Sequence, residues 1–213
     1  MRYQAIIFDL DGVICRTDQY HYLAWKAIAD ELGIPFNETI NERLRGVSRM
    51  ASFDIILERY DGEMDEAEKI RWTDKKNELY KTMLTRMSHD DLLEGVESTL
   101  NELRAMGLDL AIGSSSKNTR FILERLGLAD FFDAISDGTN ITRSKPDPEV
   151  FVKAAGFLER EPGECLVVED AEAGLEAALA GGMDCAAFGD IAVRSGLGTW
   201  NLERFSDLID IVR

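Results

Sequence analysis

The sequence predicts an α/β fold, in which a parallel sheet is covered by helices on both faces. Short apolar runs typical of buried strands alternate along the chain with segments in which apolar residues recur at helical spacing. One long segment near the N-terminus interrupts this alternation and contains helical patterns only. We therefore expect a core domain formed by residues 1–16 and 88–213, with an all-helical cap domain, residues 17–87, inserted after the first strand.

Five strands are predicted in the core domain. The first covers residues 4–10, where the apolar side chains run without interruption, as in a strand buried on both faces. Similar runs follow at 108–113, 132–136, 165–168 and 184–188. Because strands separated by helices run parallel, their carboxyl ends meet at one edge of the sheet. Functional sites of α/β folds lie at that edge.

Four helices are predicted between these strands, at 92–106, 121–126, 148–158 and 171–180. Asp147 and Pro148 are expected to begin the third helix as its N-cap and first residue. Two consecutive glycines end the fourth.

The cap domain is predicted to contain three main helical patterns. The apolar face of the first consists of Tyr20, Leu23, Ala24, Ala27, Ile28 and Leu32, and Gly33 ends this helix. The second pattern carries Phe53, Ile56 and Leu57. A third, strongly charged helix is predicted over residues 65–87. A helical insert in this position would cover the carboxyl edge of the sheet.

The composition restricts the class of protein and of partner. The chain has 213 residues, of which 45% are hydrophobic, as in a globular protein. A net charge of −16 argues against nucleic acid as a partner, and it requires an anionic substrate to meet a local group of cations or a metal ion. No apolar run is long enough to cross a membrane, and no secretory leader is expected. Three cysteines without metal-ligand spacing favour the reducing cytoplasm, and we expect a monomer.

Asp9 and Asp11 stand two residues apart after the first apolar run, in the stretch FDLDGV. Side chains two apart on a strand point to the same side, so if the strand continues to Leu10 the two carboxylates lie close together at its carboxyl end. Like charges held this close are costly unless a cation, a shared proton or a reaction uses them.

Polar residues follow two further strands and precede one helix. Ser114, Ser115 and Ser116 come after the second strand, either as an anion site or as an ordinary helix cap. Lys145 precedes Pro146, either at a site or as a solvated surface lysine. Glu169 and Asp170 follow a later strand, either as oxygen ligands of Mg²⁺ or as acids at a helix start.

The segments FDLDGV, GSSS, SKPDP and VVEDAEAG resemble, in this order, the four motifs of the haloacid dehalogenase superfamily. The resemblance covers essentially the whole chain and implies a Rossmann-like core that transfers phosphoryl groups. It implies that Asp9 is a nucleophile that becomes an aspartyl phosphate, and that Asp11 is the general acid and base. Ser114 and Lys145 would hold the transferring phosphoryl group, and we group Ser115 with them.

The same resemblance implies Mg²⁺ as the cofactor. Its ligands would be the carboxylates of Asp9 and Asp170 and the backbone carbonyl of Asp11, supported by Glu169. The ion would reduce the repulsion between the paired aspartates and between the site and an anionic substrate.

Two features of the cap are candidate substrate contacts. Asp18, His21 and Trp25 share a stripe of the first cap helix that is displaced from its predicted core face. His21 and Trp25 could face the cleft, or they could pack on the neighbouring domain. The stretch GVSR (46–49) separates two helical patterns, with Ser48 as the expected N-cap of the second, and could be an anion site or a plain turn.

The cap segments TDQYHYLAW and NERLRGVSR, together with SSSKN in the core, resemble the β-phosphoglucomutase family. This resemblance implies a set of residues that contact a hexose phosphate: Thr17, His21, Trp25, Gly46, Val47, Ser48, Arg49, Ser116, Lys117 and Asn118. It implies interconversion of β-D-glucose 1-phosphate and β-D-glucose 6-phosphate through an aspartyl phosphate and a bisphosphate. The alternatives are a sugar-phosphate phosphatase and a non-catalytic phosphosugar-binding module. Arg16 and Ser115 depart from the family pattern.

Overall fold

The described strands pair in parallel and form one sheet. The computed structural model describes residues 2–45 and 47–213. Within them the strands are β1 Ala5–Phe8, β2 Asp109–Gly113, β3 Ala134–Ser136, β4 Cys165–Glu169, β5 Asp184–Phe188 and β6 Trp200–Leu202. Their order in the sheet is β3-β2-β1-β4-β5-β6. The five predicted strands are confirmed, although β1 ends at Phe8 and does not continue to Leu10. The short edge strand β6 was not predicted.

Strand β1 lies in the middle of the sheet, between β2 and β4. Consecutive residues of β1 face opposite sides, so Ile6 and Phe8 belong to one hydrophobic cluster while Ala5 and Ile7 belong to another. The strand order reverses between β1 and β4, which opens a crevice at their carboxyl ends. Asp9 and Asp11 follow β1 directly into this crevice.

Helices cover both faces of the sheet, and the predicted Rossmann-like fold class is confirmed. Packed with Ile6 and Phe8 are α5 Val96–Ala105, α6 Thr119–Arg125 and α10 Leu208–Val212. Packed with Ala5 and Ile7 are α7 Glu149–Phe157, α8 Glu172–Ala180 and α9 Asp190–Ser195. Within residues 2–45 and 47–213, three short 3₁₀ helices lie at His89–Asp91, Pro162–Glu164 and Phe205–Asp207.

Two predicted helix starts in the core need correction. The helix expected from residue 92 begins at Val96, because Gly95 has a positive φ of 78° that ends the preceding loop. The helix expected from Pro148 begins at Glu149 with Pro148 at its N-cap. The carboxylate of Asp147 still accepts a hydrogen bond from the free backbone N–H of Glu149, at 3.0 Å.

The segment predicted as the cap, residues 17–87, contains four α-helices in its described residues. They are α1 Asp18–Glu31, α2 Glu38–Glu42, α3 Arg49–Leu57 and α4 Glu66–Leu84. These helices share a hydrophobic core that includes Ile28, Phe53 and Ile56. The domain boundaries at residues 17 and 87 stay a prediction.

The buried face of α1 differs from the predicted one. Ala24, Trp25, Ile28 and Ala29 are buried, whereas Leu23 is 43% exposed. Ala27, also predicted to be in the core, is exposed. The helix is rotated because the ring of Trp25 stacks on Phe53 of α3 at 5.8 Å. Trp25 is therefore part of the cap core, which corrects its assignment to a stripe outside that core.

Among the residues that the structure describes, no helix combines the length and the apolar character needed to cross a membrane.

Candidate active site

Lys145 lies at the centre of the carboxyl edge of the sheet. Its ammonium donates a hydrogen bond to Asp9 and another, of 2.7 Å, to the Oε2 atom of Glu169. Lys145 is 3% exposed and Glu169 is 1% exposed, so the alternative of a solvated surface lysine is wrong. Burial alone would lower the pKa of Lys145, but the negative charges of Asp9 and Glu169 outweigh it and raise that pKa.

Three carboxylates converge beside this lysine. One oxygen each from Asp9, Glu169 and Asp170 can be chosen so that all three lie within 4.8 Å of one another. Burial is the main cause that raises the pKa of each of these acids, to about 7 for Glu169. The buried carboxylates of Asp9 and Glu169 and the partly buried one of Asp170 exceed the charge of one lysine, so a divalent cation at this point would stabilise their ionised forms. Hard oxygen donors are the ligands that Mg²⁺ prefers.

Asp11 lies beside this group, but its carboxylate is not one of the three. The hydroxyl of Thr17 donates a hydrogen bond to its Oδ1 atom. Burial, assisted by the charge of Asp9, raises the pKa of Asp11 to about 7. A carboxyl group with this pKa can donate a proton and take one back near neutral pH.

The three serines form the turn that leads from β2 into α6. The Oγ atom of Ser114 accepts a hydrogen bond from the backbone N–H of Ser116, and the Oγ atom of Ser116 accepts one from that of Asn118. These two hydroxyls therefore stabilise the turn before α6. The hydroxyl of Ser115 is buried without a hydrogen-bond partner among the described residues.

A cavity of about 470 Å³ lies between the cap helices and the carboxyl edge of the sheet. Fifteen of the predicted site residues line it: Asp9, Asp11, His21, Trp25, Val47, Ser48, Arg49, Ser114, Ser115, Ser116, Lys117, Asn118, Lys145, Glu169 and Asp170. Thr17 does not line this cavity, because it is fully buried beneath Asp11. Gly46 lies outside the described residues.

The sequence pattern of haloacid dehalogenase-like hydrolases matches residues 3–182, which is most of the chain. The chain belongs to this family. The parallel sheet and the carboxylates at its edge agree with the family assignment.

This haloacid dehalogenase-like protein is similar to two β-phosphoglucomutases and to a sugar-phosphate phosphatase. The β-phosphoglucomutase of Bacillus subtilis (strain 168) is 42% identical over 84% of this chain and 80% of that protein. The crystal structure of a β-phosphoglucomutase from Clostridium difficile has 34% identity and a TM-score of 0.91, over 99% of this chain and 100% of that one. The fructose-1-phosphate phosphatase YqaB of Escherichia coli (strain K12) is 30% identical over 86% of this chain and 95% of that protein.

In this haloacid dehalogenase-like fold, the cap contributes a polar wall to the cavity. The Nδ1 atom of His21 lies 2.9 Å from the ammonium of Lys76, and the imidazole stacks on Tyr80 at 4.1 Å. Burial and the charge of Lys76 lower the pKa of His21, so its imidazole is neutral near pH 7. Arg49 stands at the start of α3, where the hydroxyl of Ser48 accepts a hydrogen bond from Ala51 as the predicted N-cap.

Sequence reasoning missed several cavity-lining residues on the cap, among them Arg45, Ser52, Lys76, Asn77 and Tyr80. The last three lie on α4, which we predicted only as a charged helix. The available signal was the spacing of Thr73, Lys76, Asn77, Tyr80 and Leu84, all of which are buried on one face of α4. Lys76 and Asn77 place polar side chains within this stripe, and such side chains are seldom buried without polar partners.

Proposed function

We propose that this chain is a β-phosphoglucomutase that interconverts β-D-glucose 1-phosphate and β-D-glucose 6-phosphate. The observation that carries this proposal is that groups suited to a phosphate line both walls of one cavity. Ser114 and Lys145 stand on the core wall beside Asp9, and Ser48 and Arg49 stand on the cap wall. A bisphosphate intermediate needs one site for the phosphate that is transferred and another for the phosphate that is not. The similarity of this chain to the β-phosphoglucomutases of B. subtilis and C. difficile supports the same reaction.

The proposed cycle begins with a phosphoryl group on Asp9. The 6-hydroxyl of β-glucose 1-phosphate attacks the phosphorus, the bond to the Asp9 carboxylate breaks, and the carboxylate of Asp11 takes the hydroxyl proton. The product is β-glucose 1,6-bisphosphate. After this intermediate turns over in the cavity, Asp9 attacks the phosphorus at position 1. Asp11 returns its proton to the departing sugar oxygen, which releases β-glucose 6-phosphate and restores phospho-Asp9.

We propose Mg²⁺ as the cofactor of this reaction. Asp9, Glu169 and Asp170 fit such an ion because they offer three carboxylates within reach of one another, two of them buried and one partly buried, and the backbone carbonyl of Asp11 would add a fourth oxygen. When bound, the ion supplies neutralisation of the charge that spreads over the phosphoryl oxygens. Lys145 supplies part of the same neutralisation from the chain itself.

The residues proposed for hexose recognition are those of the cavity wall: His21, Trp25, Val47, Ser48, Arg49, Ser116, Lys117 and Asn118. Thr17 would act through Asp11 instead of touching the sugar. Gly46 keeps its assignment from the resemblance alone. We further propose that the protein works as a monomer in the cytoplasm. All described site residues belong to one chain, and the three cysteines are free thiols, as expected in a reducing compartment.

A sugar-phosphate phosphatase is the second candidate, favoured by the 30% identity to the E. coli fructose-1-phosphate phosphatase. The two candidates differ in whether the sugar hydroxyl or water accepts the phosphoryl group of Asp9. A cap that encloses the cavity excludes water and favours the hydroxyl. A non-catalytic binding module is disfavoured, because the chain keeps both aspartates, Ser114, Lys145 and Asp170.

A coupled assay distinguishes these candidates. We expect β-glucose 1-phosphate to be converted to glucose 6-phosphate, which a glucose-6-phosphate dehydrogenase detects, and we expect a bisphosphate primer to accelerate the reaction. The Asp9→Asn variant should be inactive. Release of inorganic phosphate without isomerisation would reject the mutase and favour the phosphatase. A phosphate analogue such as a fluoride complex should bind in the presence of Mg²⁺; no binding and no activity would favour the non-catalytic module.

A further inference from the structure

The loop before α7 brings Lys145 to the carboxyl edge of the sheet. This loop covers residues 137–148 and contains no α-helix or strand of its own. Four of its residues, Lys145 and Thr142 among them, line the cavity between cap and core. Because a loop has no regular ladder of backbone hydrogen bonds, neighbouring side chains must hold it in place. The position of Lys145 beside Asp9 therefore depends on what holds this loop.

Glu149, the first residue of α7, holds this loop. Its Oε2 atom accepts a hydrogen bond from the backbone N–H of Thr142, at 3.0 Å, and one from that of Arg143, at 2.7 Å. The hydroxyl of Thr142 donates another to the same oxygen, at 2.8 Å. The side chain of Glu149 is 12% exposed. One carboxylate oxygen thus binds three donors of the segment just before Lys145.

Lys153, one turn further along α7, supports this arrangement. Its ammonium lies 2.7 Å from the Oε1 atom of Glu149 and donates a hydrogen bond of 2.6 Å to the backbone carbonyl of Asn140 in the loop. The hydrogen bonds from Lys153 and Thr142 lower the pKa of Glu149 to about 2, so its carboxylate is ionised at neutral pH. Hydrogen bonds to an ionised carboxylate are stronger than those between neutral groups.

Helix α7 also contacts the ammonium of Lys145. The Nζ atom lies 4.7 Å from the centre of the ring of Phe151, which is fully buried on this helix. An ion pair within the loop joins Arg143 to Asp147 at 2.9 Å, but the side chain of Arg143 is 71% exposed, and such pairs contribute little. Helix α7 therefore holds both the backbone before Lys145 and the end of its side chain.

We propose that Glu149 is a positioning residue for phosphoryl transfer, which holds the loop so that the ammonium of Lys145 stays beside Asp9. This inference rests on the role of Lys145 in the proposed function. Glu149 does not belong to the described residues that line the cavity, so it acts on the reaction through Lys145. Without Glu149 the loop would move, and a phosphoryl group on Asp9 would lose a cationic partner. The contacts between the cap and the sugar would be kept.

The first test is the chemical accessibility of Lys145, measured without any substrate. N-hydroxysuccinimidyl acetate acetylates lysines whose amine is unprotonated and reachable, and peptide mass spectrometry gives the rate at each lysine. In the wild type Lys145 should react slowly, because it is 3% exposed and paired with Asp9 and Glu169. Glu149→Ala should raise this rate about tenfold or more, because it removes three charge-assisted hydrogen bonds that hold the loop.

Two controls and a second variant separate this local effect from a general loss of stability. Lys76, which is 2% exposed on the cap, is an internal control and should stay protected. Glu66→Ala is the matched control, because Glu66 is the exposed first residue of α4, and it should leave the rate at Lys145 unchanged. Glu149→Gln keeps a side-chain oxygen for the two backbone amides, so its increase should be smaller than that of Glu149→Ala.

Steady-state kinetics give the second test. Glu149→Ala should lower kcat by similar factors, about 10–10²-fold, for β-glucose 1-phosphate and for a small aryl phosphate, because both reactions transfer a phosphoryl group at Asp9. The KM for the sugar phosphate should change little, because its contacts on the cap are kept. A loss confined to KM would overturn the inference.

The acetylation rates distinguish a failure of this inference from a failure of the proposed function. An unchanged rate at Lys145 in Glu149→Ala would overturn the inference and leave the proposed function intact. Equal acceleration at Lys76 and Lys145 in both variants of Glu149 would show a global effect and would also overturn it. An inactive wild type would reject the proposed function, and the rates would still decide whether Glu149 holds Lys145 in place.

Discussion

At the scale of single residues, the carboxyl edge of the sheet holds several charged side chains that are buried close together. Asp9, Glu169 and Lys145 are each less than a tenth exposed, and they are held together by direct hydrogen bonds. Removing one partner from such a group leaves an uncompensated charge in a low dielectric, which costs several kcal/mol. Lys145 is therefore required both for the fold of this edge and for the proposed neutralisation of the phosphoryl group.

Replacing Asp11 by asparagine tests its proton transfer. Asp11→Asn should lower kcat for the sugar phosphate by about 10²–10⁴-fold, the usual contribution of a general acid or base. The loss should be much smaller for release of nitrophenolate from an aryl phosphate, because that leaving group departs without a proton. Equal losses with both substrates would show that Asp11 has a structural role only.

Arg49 tests the second phosphate site. Arg49→Ala should reduce the mutase reaction strongly, because the phosphate that is not transferred loses its charged partner on the cap. Hydrolysis of a small aryl phosphate, which has one phosphate only, should change little. The control is Arg71→Ala, on an exposed arginine paired with Glu68 on the same cap. If Arg49→Ala lowers both reactions equally, Arg49 does not bind the second phosphate.

Lys76 should make stability depend on pH. Burial and the charge of Arg49 lower the pKa of Lys76 to about 7, from 10.5. His21 and Tyr80 of the cap also face its ammonium, and Asp11 faces it from the core. Between these two pKa values the unfolded chain binds more protons than the folded one. The free energy of unfolding contributed by Lys76 therefore rises with pH across this window.

Urea unfolding at about pH 7 and about pH 9.5 measures this slope. Lys76→Met should flatten the slope relative to the wild type. Lys75→Met is the control, because Lys75 is exposed and pairs with Glu31 at 2.5 Å on the surface of the cap. Identical slopes in the wild type and Lys76→Met would mean that Lys76 is charged throughout the window.

At the scale of elements, helix α8 is positioned by the close approach of a glycine to the carboxylate group. A Cβ atom on Gly174 would lie 2.0 Å from the Cδ atom of Glu169. The absence of a side chain therefore lets α8 pack directly on Glu169, which in turn bonds Lys145. The segment VVEDAEAG therefore supplies the acids and also the glycine, Gly174, that allows α8 to pack on Glu169.

Gly174→Ala should displace Glu169 and weaken both Mg²⁺ binding and turnover, with a stability loss of about 1–3 kcal/mol from overpacking. Gly156→Ala in α7 is the matched control, because a Cβ atom there meets nothing within 4 Å. It should stabilise the protein by up to about 1 kcal/mol through helix propensity and leave turnover unchanged. Urea unfolding and the coupled assay measure both variants. Full activity in Gly174→Ala would contradict the proposed packing constraint.

At the scale of the whole molecule, a few polar contacts close the cap onto the core. The guanidinium of Arg45 on the cap donates a hydrogen bond of 3.0 Å to the Oδ2 atom of Asp170. The side-chain amide of Asn118 donates one of 2.9 Å to the Oδ1 atom of Asn77 on α4. Both asparagines are buried and line the cavity between cap and core. One member of each pair, Asp170 and Asn118, also has a role in the proposed reaction.

Asn77→Ala should loosen the closed cap, because it leaves the buried amide of Asn118 without its partner, at a cost of about 1–3 kcal/mol. We expect a larger radius of gyration in small-angle scattering and a larger share of hydrolysis relative to isomerisation. Asn101→Ala is the control, since Asn101 is exposed on α5 and its amide donates a hydrogen bond to the backbone carbonyl of Glu97. An unchanged radius and an unchanged product ratio would show that this hydrogen bond does not control closure.

Much of the core and of its proposed catalytic residues could be predicted from the sequence. Uninterrupted apolar runs identify buried strands from neighbouring residues alone. The polar and acidic side chains of the site come directly after these runs, at the carboxyl ends of the strands. Asp9, Ser114 and Asp170 were located in this way, and all three line the cavity. Strand β6 was not predicted because Trp200–Leu202 is only three residues long, too short to show an alternation of apolar and polar side chains.

The sequence by itself determined the order of the strands along the chain, the edge that carries the acids and the family resemblance, because these depend on neighbouring residues and on motif spacing. Only the tertiary structure decided that Trp25 belongs to the cap core, that Lys76 and Asn77 face the cavity, and that Arg45 meets Asp170. Those contacts join residues far apart in the chain. They depend on how α1, α3 and α4 rotate against one another and against the sheet, and no local pattern records that rotation.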